Sequence, residues 1–353
     1  MKNQPKKSRL KKKQNKLQGE LCSPLISMFK IGNVEIKGKV VLAPMAGVTS
    51  LAYREFMKPF GVALTVTEMV SDCGLIYDNK KTIDYIKTTE FERPVAIQLF
   101  GSSAETICKA MDVVLKINPN IDMFDINLGC PAPKVTKTGA GSALLRDPKK
   151  LEKMFTEICK HSPIPVTAKI RLGWNEDEIN FKENIKALEN AGISAIAVHA
   201  RTTRAGYAGK PKWELLTNLR DDMSVPLIVS GDIYDVKDAK KAIEITHADA
   251  VMVARGGVGN PKLIQRINSY FDEKEPEPYQ TIKESKEYLL SFANKLISEK
   301  GEYSAMMVLR GIAPKFFLGL PNTKKIRSKL ASALTTKQSL VRIMDEIKED
   351  VDL

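Results

Sequence analysis

Eight short apolar runs, separated by amphipathic stretches, occupy the chain from about residue 39 to 254. The runs are Lys39–Pro44, Ala63–Glu68, Pro94–Leu99, Asp122–Leu128, Ile164–Ile170, Ser194–His199, Pro226–Ser230 and Asp249–Ala254. They are rich in Val, Ile and Leu, and most do not alternate apolar with polar residues. That pattern belongs to parallel strands covered on both faces. The stretches between them carry apolar residues at helical spacing, as in Ala104–Ile117 (Ile107, Met111, Val114, Leu115) and in Ile179–Ala191. Eight strand–helix units in roughly 230 residues suit a (β/α)8 TIM barrel. The alternative is an open doubly wound sheet, whose first strand should lead into GxGxxG. Here the first strand runs into Ala43-Pro44-Met45-Ala46-Gly47 instead.

The barrel is expected over residues 21–271. A charged, Pro-rich linker, Asp272–Tyr279, follows it. Helix-like segments at Ile282–Lys300, Tyr303–Leu318, Thr323–Leu334 and Thr336–Ile347 then predict a small all-α helical domain over 280–353. Residues 1–20 read as a disordered tail. Eight of their residues are basic (Lys2, Lys6, Lys7, Arg9, Lys11, Lys12, Lys13 and Lys16), and no acid precedes Glu20. The tail supplies much of a net charge of +13, which makes a polyanion a plausible partner.

No run approaches the ~18 apolar residues of a membrane span, and the basic N-terminus lacks the apolar core of a signal peptide. A cytoplasmic monomer is the expectation. Five cysteines (Cys22, Cys73, Cys108, Cys130 and Cys159) form no CxxC pair, so neither a disulfide framework nor a metal site is indicated. Four read as buried apolar residues and one as a working thiol.

Chemistry in such a barrel sits at the C-terminal ends of the strands. The polar residues gather there: Gln98, then Asp125 and Asn127 leading into Gly129-Cys130-Pro131, then Lys169 and Arg171, then His199 and Arg201. Ser230-Gly231-Asp232 and Arg255-Gly256-Gly257 end the last two strands. Any one of these alone reads as a capped strand or a solvated loop. Together they would converge on one cavity, as in a cofactor site with a reactive group beside it. Gly231 and the run Gly256-Gly257-Val258-Gly259-Asn260-Pro261 stand where these barrels bind phosphate, which points to a phosphorylated cofactor or substrate.

These residues resemble the tRNA-dihydrouridine synthases, and among them the bacterial B-type branch. The resemblance rests on Ala43-Pro44-Met45-Ala46-Gly47-Val48-Thr49, on Asp125-Ile126-Asn127-Leu128-Gly129-Cys130-Pro131 and on Gly139-Ala140-Gly141-Ser142-Ala143-Leu144-Leu145. It extends to Lys169-Ile170-Arg171-Leu172-Gly173-Trp174, His199-Ala200-Arg201-Thr202 and Ser230-Gly231-Asp232-Ile233, and covers about residues 24–345. It implies FMN at the strand ends and a helical domain that helps hold tRNA. Pro44, Met45 and Ala46 would line the flavin, Gln98 and Lys169 would face its ring, and His199 would lie beside it. Ser230, Gly231, Asp232, Ala254, Arg255 and Gly256 would hold the ribityl chain and phosphate. Ser230 and Ala254 replace the Asn and Gly of many relatives, and both replacements are small.

The resemblance further implies reduction of the C5–C6 double bond of a tRNA uridine, with NADPH (or NADH) as reductant and Cys130 as proton donor. Thiols ordinarily keep their proton at neutral pH, which suits an acid. Asn127 would meet the uracil edge or steady the loop. The target base must be flipped out of the folded RNA. Lys134, Lys137, Arg201 and Arg204 would supply a basic rim. Arg310, Lys315, Lys324, Lys325, Arg327 and Lys329 would form a second basic cluster, binding phosphate without reading sequence. Two other readings share parts of this pattern: a barrel reductase acting on free pyrimidines, and a non-catalytic RNA-binding barrel.

Overall fold

The computed structural model describes residues 28–347. The basic tail and Cys22 lie outside the described residues. Eleven strands are present among those described. β1 (Met28–Ile31) and β2 (Val34–Lys37) form an antiparallel hairpin. The others are β3 (Val40–Leu42), β4 (Leu64–Val66), β5 (Val70–Ser71), β6 (Val95–Phe100), β7 (Met123–Asn127), β8 (Val166–Arg171), β9 (Ala195–His199), β10 (Leu227–Ser230) and β11 (Ala250–Val253). β3 pairs with both β4 and β11, and β4 with β6, so eight parallel strands close into a barrel. The two residues of β5 extend the β4 position alongside β6. The eight expected strands are the eight that close the barrel.

Successive side chains point to opposite faces of a strand, and the two faces differ here. Val40, Leu42, Ile97, Leu99, Phe124, Ile126, Ile196 and Val198 face outward into a large core shared with the helices. Val41, Ala43, Ala96, Met123, Ala195, Ala197, Ile228 and Met252 face the barrel interior. Both faces are apolar, so the sequence shows no alternation. The interior positions are mostly small, and at the C-terminal strand ends they become polar. The hairpin, which the sequence reading missed, closes the opposite end. Ile31 and Ile36 are fully buried in the interior cluster. Gly32 turns the hairpin in a left-handed conformation so close to Pro165 that a Cβ would approach its ring to 2.7 Å.

The outer helices used below are α1 (Leu51–Met57), α2 (Ala104–Ile117), α3 (Pro148–His161), α4 (Phe181–Asn190), α5 (Val236–Thr246) and α6 (Lys262–Phe271). Local chemistry sets their starts. Ser103 Oγ accepts from Thr106 N at α2, and Asp147 Oδ1 accepts from Lys150 N at α3, where Pro148 fills the first position. After the linker come α7 (Ile282–Lys300), α8 (Glu302–Ile312), α9 (Lys324–Ser332) and α10 (Lys337–Asp345). Thr281 and Glu284 cap α7 reciprocally. The segment expected as one helix over Tyr303–Leu318 instead ends as α-helix at Ile312. Ala313–Phe317 forms a 3-10 turn, because Pro314 offers no N–H to continue the ladder.

These helices are not a separate ball. Phe292 of α7 lies 5.5 Å, ring to ring, from both Tyr53 and Phe56 of α1, and Phe316 lies 6.0 Å from Phe56. One continuous apolar core runs from the barrel into the C-terminal helices. No described helix is long and apolar enough to cross a membrane.

Candidate active site

Pro44, Met45, Lys169, His199, Ser230, Gly231, Asp232, Ala254, Arg255 and Gly256 line one cleft of about 110 Å³ at the C-terminal end of the barrel. The Gly231 and Gly256 side of the cleft needs its glycines. A Cβ on Gly231, which has φ +131°, would meet Pro211 at 2.9 Å, and one on Gly256 would lie 2.0 Å from the carbonyl oxygen of Ile233. Gly256 lets the turns after β10 and β11 close on each other, and Gly231 lets the turn after β10 close on the loop after β9.

Charge in the cleft is arranged by burial. The ammonium of Lys169 makes no hydrogen bond or ion pair. Burial, reinforced by the charge of Arg171, lowers its pKa to about 8 against the opposing pull of Asp125 and Cys130. His199 is held far below its ordinary value by burial and by the cations Lys169, Arg171, Arg201 and Arg255, so it is a neutral imidazole. Asp232 lies between two guanidinium groups. Arg201 donates to Oδ1 at 3.1 Å and to Oδ2 at 2.5 Å, and Arg255 donates to Oδ1 at 2.7 Å. Burial pushes the Asp232 carboxyl up, but the bonds and charges of Arg201 and Arg255 outweigh it and hold it below the usual range. A carboxylate so placed orients Arg255, so Asp232 acts on the cleft through that arginine.

Three expected residues sit elsewhere than the sequence suggested. Gln98 is fully buried behind the cleft wall, its amide bonded to Asp125 and Asn127. Ala46 is exposed on the turn after β3, off the cleft wall. Arg201 is 2% exposed and bonds Asp232 and the carbonyls of Ala208 and Gly209, so it braces the scaffold and is not part of a basic rim. Lys134, Lys137 and Arg204 are exposed around the mouth. In the second cluster Lys315, Lys324 and Lys325 are exposed, whereas Arg310 donates twice to the carbonyl of Leu334 and Lys329 pairs with Glu346.

Cys130 follows β7, the neighbour of the strand that carries Lys169. It is a free, half-buried thiol. Its turn is fastened on all sides. Asn127 Oδ1 accepts from Gly129 N and Cys130 N, Arg171 Nε donates to the Gly129 carbonyl, and Ser142 Oγ donates to that of Cys130. Asn127 therefore steadies the loop. The other described cysteines depart from the buried expectation, since Cys73 is exposed and Cys108 and Cys159 are half-buried.

The family described as "Dihydrouridine synthase (Dus)" matches residues 41–351. A probable tRNA-dihydrouridine synthase of Rickettsia bellii is 33% identical over 325 residues, 91% of this chain and 97% of the relative. The chain belongs to the dihydrouridine synthase family. Relatives of the B type are among its matches, such as tRNA-dihydrouridine synthase B of Vibrio vulnificus, 33% identical over 80% of this chain and 87% of the relative. The barrel also resembles 6-hydroxypseudooxynicotine amine oxidase of Pseudomonas geniculata N1. There the TM-score is 0.53 and the identity 11%, over 71% of this chain and 50% of the other, a likeness of fold alone.

For a dihydrouridine synthase, the residues that sequence reading missed are those on loops without a motif. Tyr207, 60% exposed, lines the cleft with its ring 4.8 Å from the Arg255 guanidinium, and the ring of Tyr234 lies 5.9 Å from the same guanidinium. Glu68 Oε2 accepts from Gly47 N at 2.6 Å and pins the turn after β3, while burial pushes its carboxyl up. Only its position at a strand end could have pointed to it.

Proposed function

We propose that this chain is an FMN-dependent tRNA-dihydrouridine synthase that reduces the C5–C6 double bond of uridines in tRNA, with NADPH as reductant and Cys130 as proton donor. The observation that carries the reading is the single cleft that brings Lys169, neutral His199, Arg255 and the Gly231 and Gly256 cradle together beside the Cys130 turn. These residues fit a flavin mononucleotide. The close-packed glycines and Arg255 suit its phosphate, and Lys169, without a partner, offers a cation to its ring edge. Bound there, FMN supplies two-electron transfer between a nicotinamide and the pyrimidine.

The chain's own residues do the rest. Lys169, charged below about pH 8, attracts negative charge at the ring. His199 offers one ring nitrogen as donor and the other as acceptor. Its Nε2 lies 3.3 Å from Arg201, which places the proton on Nδ1. Cys130 holds the proton that goes to C5, on a turn whose backbone is fixed from three sides. Lys134, Lys137 and Arg204 engage phosphates near the mouth, and Lys315, Lys324 and Lys325 engage them on the C-terminal helices. The protein acts as a cytoplasmic monomer.

The test is Cys130→Ala. The variant is expected to retain bound FMN and NADPH oxidation while dihydrouridine formation in unmodified tRNA falls by roughly 10²-fold or more. Full activity on tRNA would remove Cys130 from the mechanism. Turnover of free uridine as fast as of tRNA would redirect the assignment to a free-pyrimidine reductase, and protein that takes up no flavin would overturn it.

A further inference from the structure

The polar groups beneath the cleft form one hydrogen-bond chain whose direction is fixed at one end. The backbone N–H groups of Gly129 and Cys130 can only donate, and both point at Asn127 Oδ1, at 3.1 and 2.8 Å. Asn127 must therefore turn its amide nitrogen to Gln98 Oε1, at 2.9 Å. Gln98 in turn directs its own amide nitrogen to Asp125 Oδ2, at 2.6 Å. The other oxygen of Asp125 accepts from Thr167 Oγ1 at 2.6 Å. Gln98, Asp125 and Asn127 are 0%, 4% and 8% exposed, so water offers few alternative partners. Flipping either amide would set two acceptors face to face. Only an acceptor at 125 completes the chain in this sense, and a carboxylate can do nothing but accept.

We propose that Asp125 is a positioning residue: by accepting from Gln98 it completes a buried chain whose direction starts at the N–H of Cys130, and so holds the turn presenting that thiol. Its catalytic meaning rests on the part assigned to Cys130 above, but the geometry stands without it. The chain runs from β8 through β7 and β6 and back to the turn after β7, so three strands hold one loop. Thr67 Oγ1 accepts from Gln98 N at 3.0 Å and ties in the segment after β4 as well.

The chain can be reversed by isosteric changes, which gives the test. In Asn127→Asp both oxygens at 127 accept, Gln98 is driven to flip, and its Oε1 then faces the Asp125 carboxylate. In Asp125→Asn the new amide can still accept from Gln98 and donate to Thr167, so little changes. With both substitutions every group finds a partner again, in the opposite sense. Two readouts on the full-length protein follow the turn without RNA: the melting temperature, and the rate of Cys130 alkylation by iodoacetamide measured by peptide mass spectrometry. Asn127→Asp is expected to lower Tm by about 5 °C or more and to raise the alkylation rate about tenfold. Asp125→Asn should stay within about twofold of the parent rate, and the double variant should return to that range. If Asn127→Asp alone does not fold, a folded double variant supports the chain and an unfolded one overturns it. A double variant as impaired as Asn127→Asp, or an Asn127→Asp protein indistinguishable from the parent, also overturns it. None of these outcomes depends on dihydrouridine formation, so failure here is separable from failure of the proposed reaction.

Discussion

Lys169 makes the clearest quantitative case for function placed against stability. Its ammonium, on β8, has no hydrogen bond or ion pair, and burial lowers its pKa from the ordinary 10.5 to about 8. At ~1.4 kcal/mol for each tenfold change in proton affinity, that depression corresponds to about 3 kcal/mol of penalty for carrying the charge in the folded, cofactor-free protein. The pH dependence has a definite sign. Below about pH 8 the folded and unfolded chains are both charged here, and the penalty is fully present. Between about 8 and 10.5 the folded chain has released the proton while the unfolded chain still holds it, so stability rises with pH. Lys169→Met keeps the aliphatic stem and removes the charge. The cofactor-free variant is expected to be more stable than the parent by about 1–3 kcal/mol at pH 7, and the gap should close as pH approaches about 10. Urea denaturation followed by circular dichroism at several pH values measures both. FMN affinity should move the other way, weakening by about tenfold or more. A variant less stable than the parent at pH 7, or a gap that stays constant with pH, would refute the argument that this ammonium is held at a cost.

His199 gives the acid-side counterpart. Its folded-state pKa lies far below the ordinary 6.5, so the unfolded chain takes the proton first and stability falls as pH drops below about 6.5. His199→Gln should flatten the stability profile between about pH 6.5 and 5, and an unchanged profile there counts against a neutral buried imidazole. Gly256→Ala would put a Cβ 2.0 Å from the Ile233 carbonyl oxygen. The turn must shift, and FMN affinity measured by fluorescence quenching should fall about tenfold or more; retained affinity would show that the turn is not part of the anion site. Arg201→Met removes both bonds to Asp232 and leaves the carbonyls of Ala208 and Gly209 unmet. A loss of about 3 kcal/mol in urea denaturation is expected, and a loss under about 1 kcal/mol would mean that the pair does not hold the loop.

The barrel was legible because parallel strands buried on both faces leave unbroken apolar runs, and several runs end near a polar residue on the inner face, such as Gln98, Asn127, His199 and Ser230. The hairpin was not read, although Gly32-Asn33 between Ile31 and Val34 is a two-residue turn signal. Its two strands are only four residues each and half exposed, so no long apolar run marks them. The site was legible as a set of strand ends and illegible in depth. Period-two alternation puts Gln98, Asp125 and Asn127 on the inner face but does not say which reach the cleft and which lie beneath it. Arg201 shows the same limit. A basic residue after a strand reads as rim, and only the nearness of Asp232, 31 positions later, makes it scaffold. Tyr207 left no signal, because a loop ring gains its place from the arginine it meets rather than from any local spacing.

The C-terminal helices bear on the cleft, and α1 is where the two meet. Glu299 at the end of α7 accepts from Ser50 Oγ and Ala52 N, both at 2.9 Å, and so caps α1 directly after the turn that bears Pro44 and Met45. Tyr53 of α1 donates to the Gly257 carbonyl at 3.2 Å, on the glycine turn after β11. Gly259, two residues on, lies so close to the backbone of Lys315 and Phe316 that a Cβ would approach it to 2.4 Å. Gln280, just past the linker, donates to the Gly259 carbonyl at 3.0 Å. Both turns that flank the cleft, one after β3 and one after β11, are thus held by groups from beyond residue 279. A barrel cut at the linker would keep its eight strands and lose the cap on α1 and the wall against Gly259. The sequence divides cleanly at that linker, yet the physical unit that shapes the cleft does not, because the glycine turn owes its position to the helices that follow it.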